Sequence, residues 1–334
     1  MVDQRKVKWS EASNATLDDL IYDIRIVWAK KDAQRTIYDT LLHTVNHASK
    51  LGEQVRRGEY KAVLDELGDI VMWFLTFVGK LQQRVEDRRK TSQEALLFYT
   101  PLTLTDLVWN KYPYTCPACF LRVNKKTKKS KPWKRRCDCL LNSSIVEGRT
   151  DDEKAGTEKE LRDFAKEHEA EKVSKLVELE GMFAFLYGAN YETFSLESIA
   201  FHLLEEVGEV SDALIRLYSY NLSKTPNPAK FYESRRLHLE SEIADVMSWI
   251  FAVSIKVKLL YQVYEKLPEG VGLGPFQTAP SPRAPQINLA NILWNRYGDK
   301  NTGLLYCPTC GKPQCNCKLR FYKTAAATKS LIKG

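Results

Sequence analysis

The sequence contains no apolar run long enough to cross a bilayer. Its most hydrophobic stretches, Ile70 to Val78 and Val246 to Ile255, are closed by Lys80 and Lys256, whereas a spanning helix needs about 20 apolar residues. The opening segment, MVDQRKVKWSEASNATLDDL, is polar and has no apolar leader core. Strand signals are almost absent away from the cysteines, and no cysteine stands alone, because all eight fall into two copies of one pattern. These absences predict a soluble, cytoplasmic, all-α protein without a membrane partner. In a reducing compartment, paired cysteines read as metal ligands before disulfides.

Each copy follows a similar aromatic tag. LVWNKY precedes CPAC and CDC (Cys116, Cys119, Cys137, Cys139), and ILWNRY precedes CPTC and CNC (Cys307, Cys310, Cys315, Cys317). Four thiolates in two close pairs supply a tetrahedral set with no open position, so two structural zinc ions are expected. A CxC disulfide would be strained, and the spacings are not those of ferredoxins. Zinc-bound thiolates also reduce the formal charge of +8 to about +4. The remaining basicity is local, in Arg122 to Arg136 and in the C-terminal tail. Both read as solvated segments, with nucleic-acid contact through the loop as the alternative.

A recurring tag and cysteine set mark an internal duplication. Walking back from the cysteines, Glu66 falls on Glu242, Asp69 on Asp245, Trp73 on Trp249 and Lys80 on Lys256. Further upstream, ASKLGEQ is laid over LEEVGEV, with Gly52 on Gly208 and Glu53 on Glu209. Apolar spacing predicts helices over Ser195 to Tyr220 and Leu237 to Leu267, with SYNLSKTPNPAKFYESRR between them as a loop. The expected organisation is a helical unit over 1–100, a zinc module over 101–145 and a solvated charged linking helix within 146–180. A second helical unit over 181–270, a second zinc module over 286–320 and a basic tail over 321–334 complete it.

The chemistry lies in the carboxylates. Glu205, Glu206 and Glu209 share one helix, and Glu242 and Asp245 share the next; residues three or four apart occupy one face. Antiparallel packing would bring Glu206, Glu209, Glu242 and Asp245 to one point. A charged solvated face is the plain alternative. Against it, Asp245 sits in the apolar run IADVMSWIFAV, where an ionised carboxylate is costly without a cation. Hard oxygen ligands suit Mg²⁺ or Mn²⁺.

EExxE on one helix followed by ExxD on the next resembles the MazG-like, all-α nucleotide pyrophosphohydrolases. The resemblance covers Leu196 to about Leu267 well and the first half less well. It implies a helical bundle that binds Mg²⁺ and cleaves a nucleoside triphosphate to monophosphate and pyrophosphate. Glu206, Glu209, Glu242 and Asp245 would be the metal ligands, and Glu205 a water-orienting or supporting group. Sites between paired units are implied too, so the duplicated chain would form an internal pseudo-dimer, itself able to form a homo-oligomer. The tag residues Lys111 and Arg296 match downstream phosphate-binding positions of that family.

In this register Ser49 and Lys50 stand where the second half has Glu205 and Glu206, while Glu53, Glu66 and Asp69 remain. A lysine at a ligand position makes the first half a degenerate site. Trp73 and Trp249, one turn beyond the Asp, read as core, with base stacking as the alternative. Trp109 and Trp294 are expected to pack the zinc modules onto the bundle. His43, His47, His202 and His238 read as structural. The expected function is Mg²⁺-dependent NTP or dNTP pyrophosphohydrolysis in the second half. The competing expectation is an idle nucleotide-sensing or nucleic-acid-binding zinc protein, which would require a broken metal set in both halves.

Overall fold

The computed structural model describes residues 15–91, 103–120, 136–137, 151–219, 228–264, 287–299 and 304–317. The basic loop to residue 135, Cys139 and the tail from residue 318 lie outside the described residues. Within them the protein is all-α apart from a two-stranded ribbon beside the second cysteine set, in which Gly298 pairs with Leu305 and Asp299 with Leu304. No helix among the described residues is long and apolar enough to cross a membrane.

The first three helices are α1 (Leu17–Asp32), α2 (Ile37–Arg57) and α3 (Tyr60–Thr91). Thr16 and Thr36 start α1 and α2 as capping boxes with Asp19 and Asp39, each satisfying otherwise unpaired helix-end donors. Such a cap contributes about 1 kcal/mol. Gly58 ends α2 in the left-handed region, at φ 72°, and its N–H reaches the carbonyls of Gln54 and Val55. That tight stop turns the chain back at once, so α3 packs antiparallel on α2.

After the short tag helix α4 (Leu104–Lys111) and α5 (Asp151–Glu167), the pattern returns in α6 (Leu176–Thr193), α7 (Leu196–Ser219) and α8 (Pro228–Tyr264). The second tag is α9 (Leu289–Tyr297). The buried face of α2, Ile37, Thr40, Leu41, Thr44, Ala48, Leu51 and Val55, falls position for position on Leu196, Ile199, Ala200, Leu203, Val207, Val210 and Leu214 of α7, all buried. The same displacement puts the cap Thr36 on Ser195, whose Oγ accepts from the Ser198 N–H. It also puts Thr16 on Lys175, and these two residues form an antiparallel bridge with each other.

Lys80 and Lys256 hold corresponding helix ends. Lys80 Nζ donates to the carbonyls of Asp32 and of Arg35 (2.8 Å), closing α1. Lys256 Nζ donates to the Glu192 carbonyl (3.2 Å), closing α6. A cation at a helix C-terminus meets the negative end of the dipole. The first helices anchor the tags in turn. Asp18 accepts from the Leu104 N–H (2.8 Å), and the buried Glu180 accepts from the Leu289 N–H (3.0 Å) and Ser254 Oγ (2.6 Å). Burial raises the Glu180 pKa.

Three boundaries differ from the sequence reading. The charged segment is not one solvated helix, because α5 stops at Glu167 and α6 starts at Leu176, within the 146–180 span. No Gly or Pro breaks it there; Leu176 N–H is instead captured by the Ala15 carbonyl (2.9 Å), a tertiary contact invisible to local propensity. The face of α5 carrying Leu161 and Phe164 is buried with Phe120, and Trp109 Nε1 donates to the Ala165 carbonyl (3.1 Å). Finally, α8 begins at Pro228, so PAKFYESRR is helix rather than loop. Proline suits a first helical turn, whose N–H has no partner in any case.

Candidate functional site

Antiparallel packing of α7 on α8 brings carboxylates together. Oxygens of Glu206, Glu209 and Glu242 all lie within 4.8 Å of one another. Glu242 is buried, Glu206 half-buried and Glu209 at the solvent edge. Desolvation, reinforced by Asp245 and Glu209, pushes the Glu206 carboxyl up to about 8. Burial likewise pushes Glu242 up to about 9; Lys111 pulls against this, while Asp245 and Glu209 add to it. Glu206 Oε1 accepts from Trp249 Nε1 (3.1 Å), whereas Glu206 Oε2 is buried without a hydrogen-bond partner among the described residues. A buried acceptor without a donor, inside a group of like charges, fits a hard cation.

Asp245 is placed differently from the sequence reading. It lies one turn beyond Glu242, yet its oxygens are engaged by Lys111 Nζ and the Tyr112 hydroxyl, and it is not among the three converging carboxylates. Lys111 also donates to Ser241 Oγ (2.7 Å) and the Ser241 carbonyl (3.2 Å). Burial opposes its charge, but Asp245 and Glu242 hold its pKa above the ordinary lysine value. The tag that ends the first half thus delivers its cation to the carboxylates of the second.

Glu205 points away. It is exposed and paired with His202 Nδ1 at 3.1 Å. His202 stacks on Trp249, with centroids 4.6 Å apart and planes at 19°. Glu205 therefore reaches the cluster only through His202, Trp249 and Glu206. Trp249 is neither plain core nor an open stacking face, since one ring edge donates to Glu206 and one face is covered by His202. His238 pairs with Glu242 at 3.1 Å.

The reciprocal arrangement occupies the first half. Arg296 from α9 makes a two-pronged contact with Asp69, Nε to Oδ1 at 2.8 Å and Nη2 to Oδ2 at 2.5 Å, and the Tyr297 hydroxyl donates to Asp69 as well. His47, Glu66 and Asp69 form the convergent set here, with His47 Nδ1 2.7 Å from Glu66 Oε2. The helices α2 and α7 correspond three residues away from the register read in sequence. His47 stands at the place of Glu206, Lys50 at that of Glu209 and Glu53 at that of Asp212. Glu53 is far from any cluster in character: it is exposed and held by Arg56 (2.9 Å) and Arg57 (2.7 Å), which lower its pKa to about 2. Lys50 is exposed. His47 was missed because a lone histidine has no ligand spacing in sequence; the shared cap positions Thr36 and Ser195 were the signal that fixes the register.

The cysteines converge. The sulfurs of Cys307, Cys310, Cys315 and Cys317 lie within 4.8 Å of one another, as do those of Cys116, Cys119 and Cys137. Cys139, expected as the fourth ligand of that set, lies outside the described residues. Within this set the Asn316 and Lys312 N–H groups lower the Cys310 pKa to about 6, burial opposing, whereas burial and the neighbouring sulfurs push Cys317 up to about 12. Both sets are tied to the other half's first helix: the Cys137 N–H donates to the Leu186 carbonyl and the Cys315 N–H to the Val27 carbonyl, each at 2.7 Å.

Compared with known proteins, the chain matches no family model, no curated sequence and no solved structure.

Proposed function

We propose that the protein is a Mg²⁺-dependent nucleoside triphosphate pyrophosphohydrolase with its catalytic centre in the second half, a MazG-like tandem pseudo-dimer carrying two structural zinc modules. The observation that carries this reading is the convergence of Glu206, Glu209 and Glu242, together with a buried Glu206 oxygen that has no donor among the described residues. Glu206, Glu209 and Glu242 would hold the metal. When bound, Mg²⁺ would neutralise triphosphate oxygens and acidify an attacking water.

The chain's own residues divide the remaining work. Lys111, fixed by Ser241 and Asp245, keeps a positive charge beside the carboxylates. Asp245 and the Tyr112 hydroxyl hold that lysine in place. Trp249 orients Glu206, and Glu205 with His202 braces Trp249. The first half contributes through its tag, and its own set, with His47 and Lys50 at the places of Glu206 and Glu209, is the degenerate partner. Matched burial of α2 and α7 and the Thr16–Lys175 bridge support the duplication. The cysteine sets suit zinc in the structural role, since four thiolates leave no open position. A dimer of such pseudo-dimers in the cytoplasm accords with this reading.

The test is product analysis. Canonical and modified NTPs and dNTPs are incubated with the protein and Mg²⁺, and phosphorus NMR distinguishes monophosphate plus pyrophosphate from diphosphate plus phosphate.

A further inference from the structure

The ammonium of Lys111 sits against oxygen on every hydrogen bond it makes. Its Nζ donates to Asp245 Oδ2, to Ser241 Oγ at 2.7 Å and to the Ser241 carbonyl at 3.2 Å. A carboxylate, a hydroxyl and a carbonyl are also the donors that a hard divalent ion takes. None of these bonds goes to Glu206, Glu209 or Glu242, which converge beside the pair. Glu242 has His238 at 3.1 Å, a neighbour that is charged only when protonated.

The first half uses the same places with different residues. Laying Asp69 on Asp245 puts Asp65 at the place of Ser241, and laying the tags together puts Arg296 at that of Lys111. Arg296 meets both carboxylates, with Nη1 3.1 Å from Asp65 Oδ1 and Nη2 2.5 Å from Asp69 Oδ2. Where a second carboxylate replaces the serine, the tag brings a planar fork that bridges two acids instead of a point charge that serves one. His47 Nδ1 lies 2.7 Å from Glu66 Oε2. Side chains of the protein therefore engage all three acids of this half, Asp65, Glu66 and Asp69, whereas in the second half the tag engages Asp245 alone.

From this reciprocity we infer that each tag cation takes the place of a divalent ion on the aspartate it meets. The second half then holds one ion, on Glu206, Glu209 and Glu242, and the first half holds none. Asp245 is a positioning residue that anchors Lys111 and is not a ligand of the resident ion. Freed of Lys111, the oxygens of Asp245 and Ser241 beside Glu242 take a second ion. The inference rests on the reading that the three glutamates bind a metal, and its test separates the two.

The test counts ions rather than turnover. Mn²⁺ is titrated into the full chain, dialysed free of magnesium but without chelator so that the cysteine sites are undisturbed, and electron paramagnetic resonance reads the free ion. The parent binds one Mn²⁺ per chain, and Glu209→Gln weakens it by at least about tenfold. Lys111→Met binds two, and Lys111→Arg, which copies the first half, binds one. Lys111→Met with Asp245→Asn removes the pair together and returns to one ion, held about as tightly as in the parent. Circular dichroism checks that each variant keeps the parental helix content. If Lys111→Met does not, Asp245→Asn alone decides, since it keeps the single ion. Two ions in the parent, one in a folded Lys111→Met, or loss of the ion in Asp245→Asn or in the double variant overturns the inference and leaves the proposed metal centre standing. No Mn²⁺ bound by the parent would sink the metal centre and the inference together.

Discussion

Lys111 and Asp245 form an ion pair across 134 residues of sequence, and Arg296 and Asp69 form its reciprocal across 227. Each tag therefore closes the site of the other half. Lys111→Met would leave Asp245, Glu206 and Glu242 without their cation. Without divalent ions this variant should melt several degrees below the parent, since stranding one partner of a buried pair is costly. Mg²⁺ should restore most of the loss by supplying the missing charge. A melting temperature unchanged in both conditions would show that Lys111 does not balance this cluster.

On the proposed reading, protons and Mg²⁺ would compete for the same carboxylates. Glu206 and Glu242 are pushed up to about 8 and about 9 from an ordinary value of 4.5. The folded state thus keeps protons that the unfolded chain has already released. Their contribution is fully present below about pH 4.5 and is lost as pH rises through 8 and 9. If the proposed site takes Mg²⁺, the ion would replace those protons, so the Mg²⁺-induced rise in melting temperature should be larger at pH 9 than at pH 6. An equal rise at both, or a larger one at pH 6, would contradict the sign.

The correspondence of α2 with α7 makes a sharp forecast. His47→Glu with Lys50→Glu should rebuild a carboxylate set with Glu66, adding one Mn²⁺ per chain in an electron paramagnetic resonance titration. Ser49→Glu with Lys50→Glu, the change that the Gly-Glu dipeptide suggests, should add little. The reverse result would restore the register read in sequence.

Metal analysis should find two zinc ions per chain. Cys307→Ser should lower the zinc content by one and, because the Cys315 N–H holds the Val27 carbonyl, should speed amide exchange in α1 rather than in α7 or α8. Faster exchange confined to the second half would mean that the module does not brace the first.

Much of this was legible in the sequence because its causes are local. Cysteine spacing gathers the sulfurs of Cys307 to Cys317, and the three-residue step from Glu206 to Glu209 sets one helix face. The α2 register was misread because Gly52-Glu53 resembles Gly208-Glu209 by chance, whereas burial and capping decide which turn faces the core. The engagement of Asp245 was invisible for a different reason. It depends on a tag crossing to the other half, and neither spacing nor hydrophobic period records a contact at that separation.

The central claim rests on Glu209 and its neighbours, and one comparison tests it most directly. Parent, Glu209→Gln and Glu53→Gln are given the same triphosphate panel with Mg²⁺, and pyrophosphate release is followed. The account predicts monophosphate and pyrophosphate from at least one substrate, a loss of at least about a hundredfold in Glu209→Gln, and full turnover in Glu53→Gln, whose carboxylate only binds Arg56 and Arg57. Diphosphate and phosphate as products, no turnover of any substrate, or near-parental activity in Glu209→Gln would contradict it.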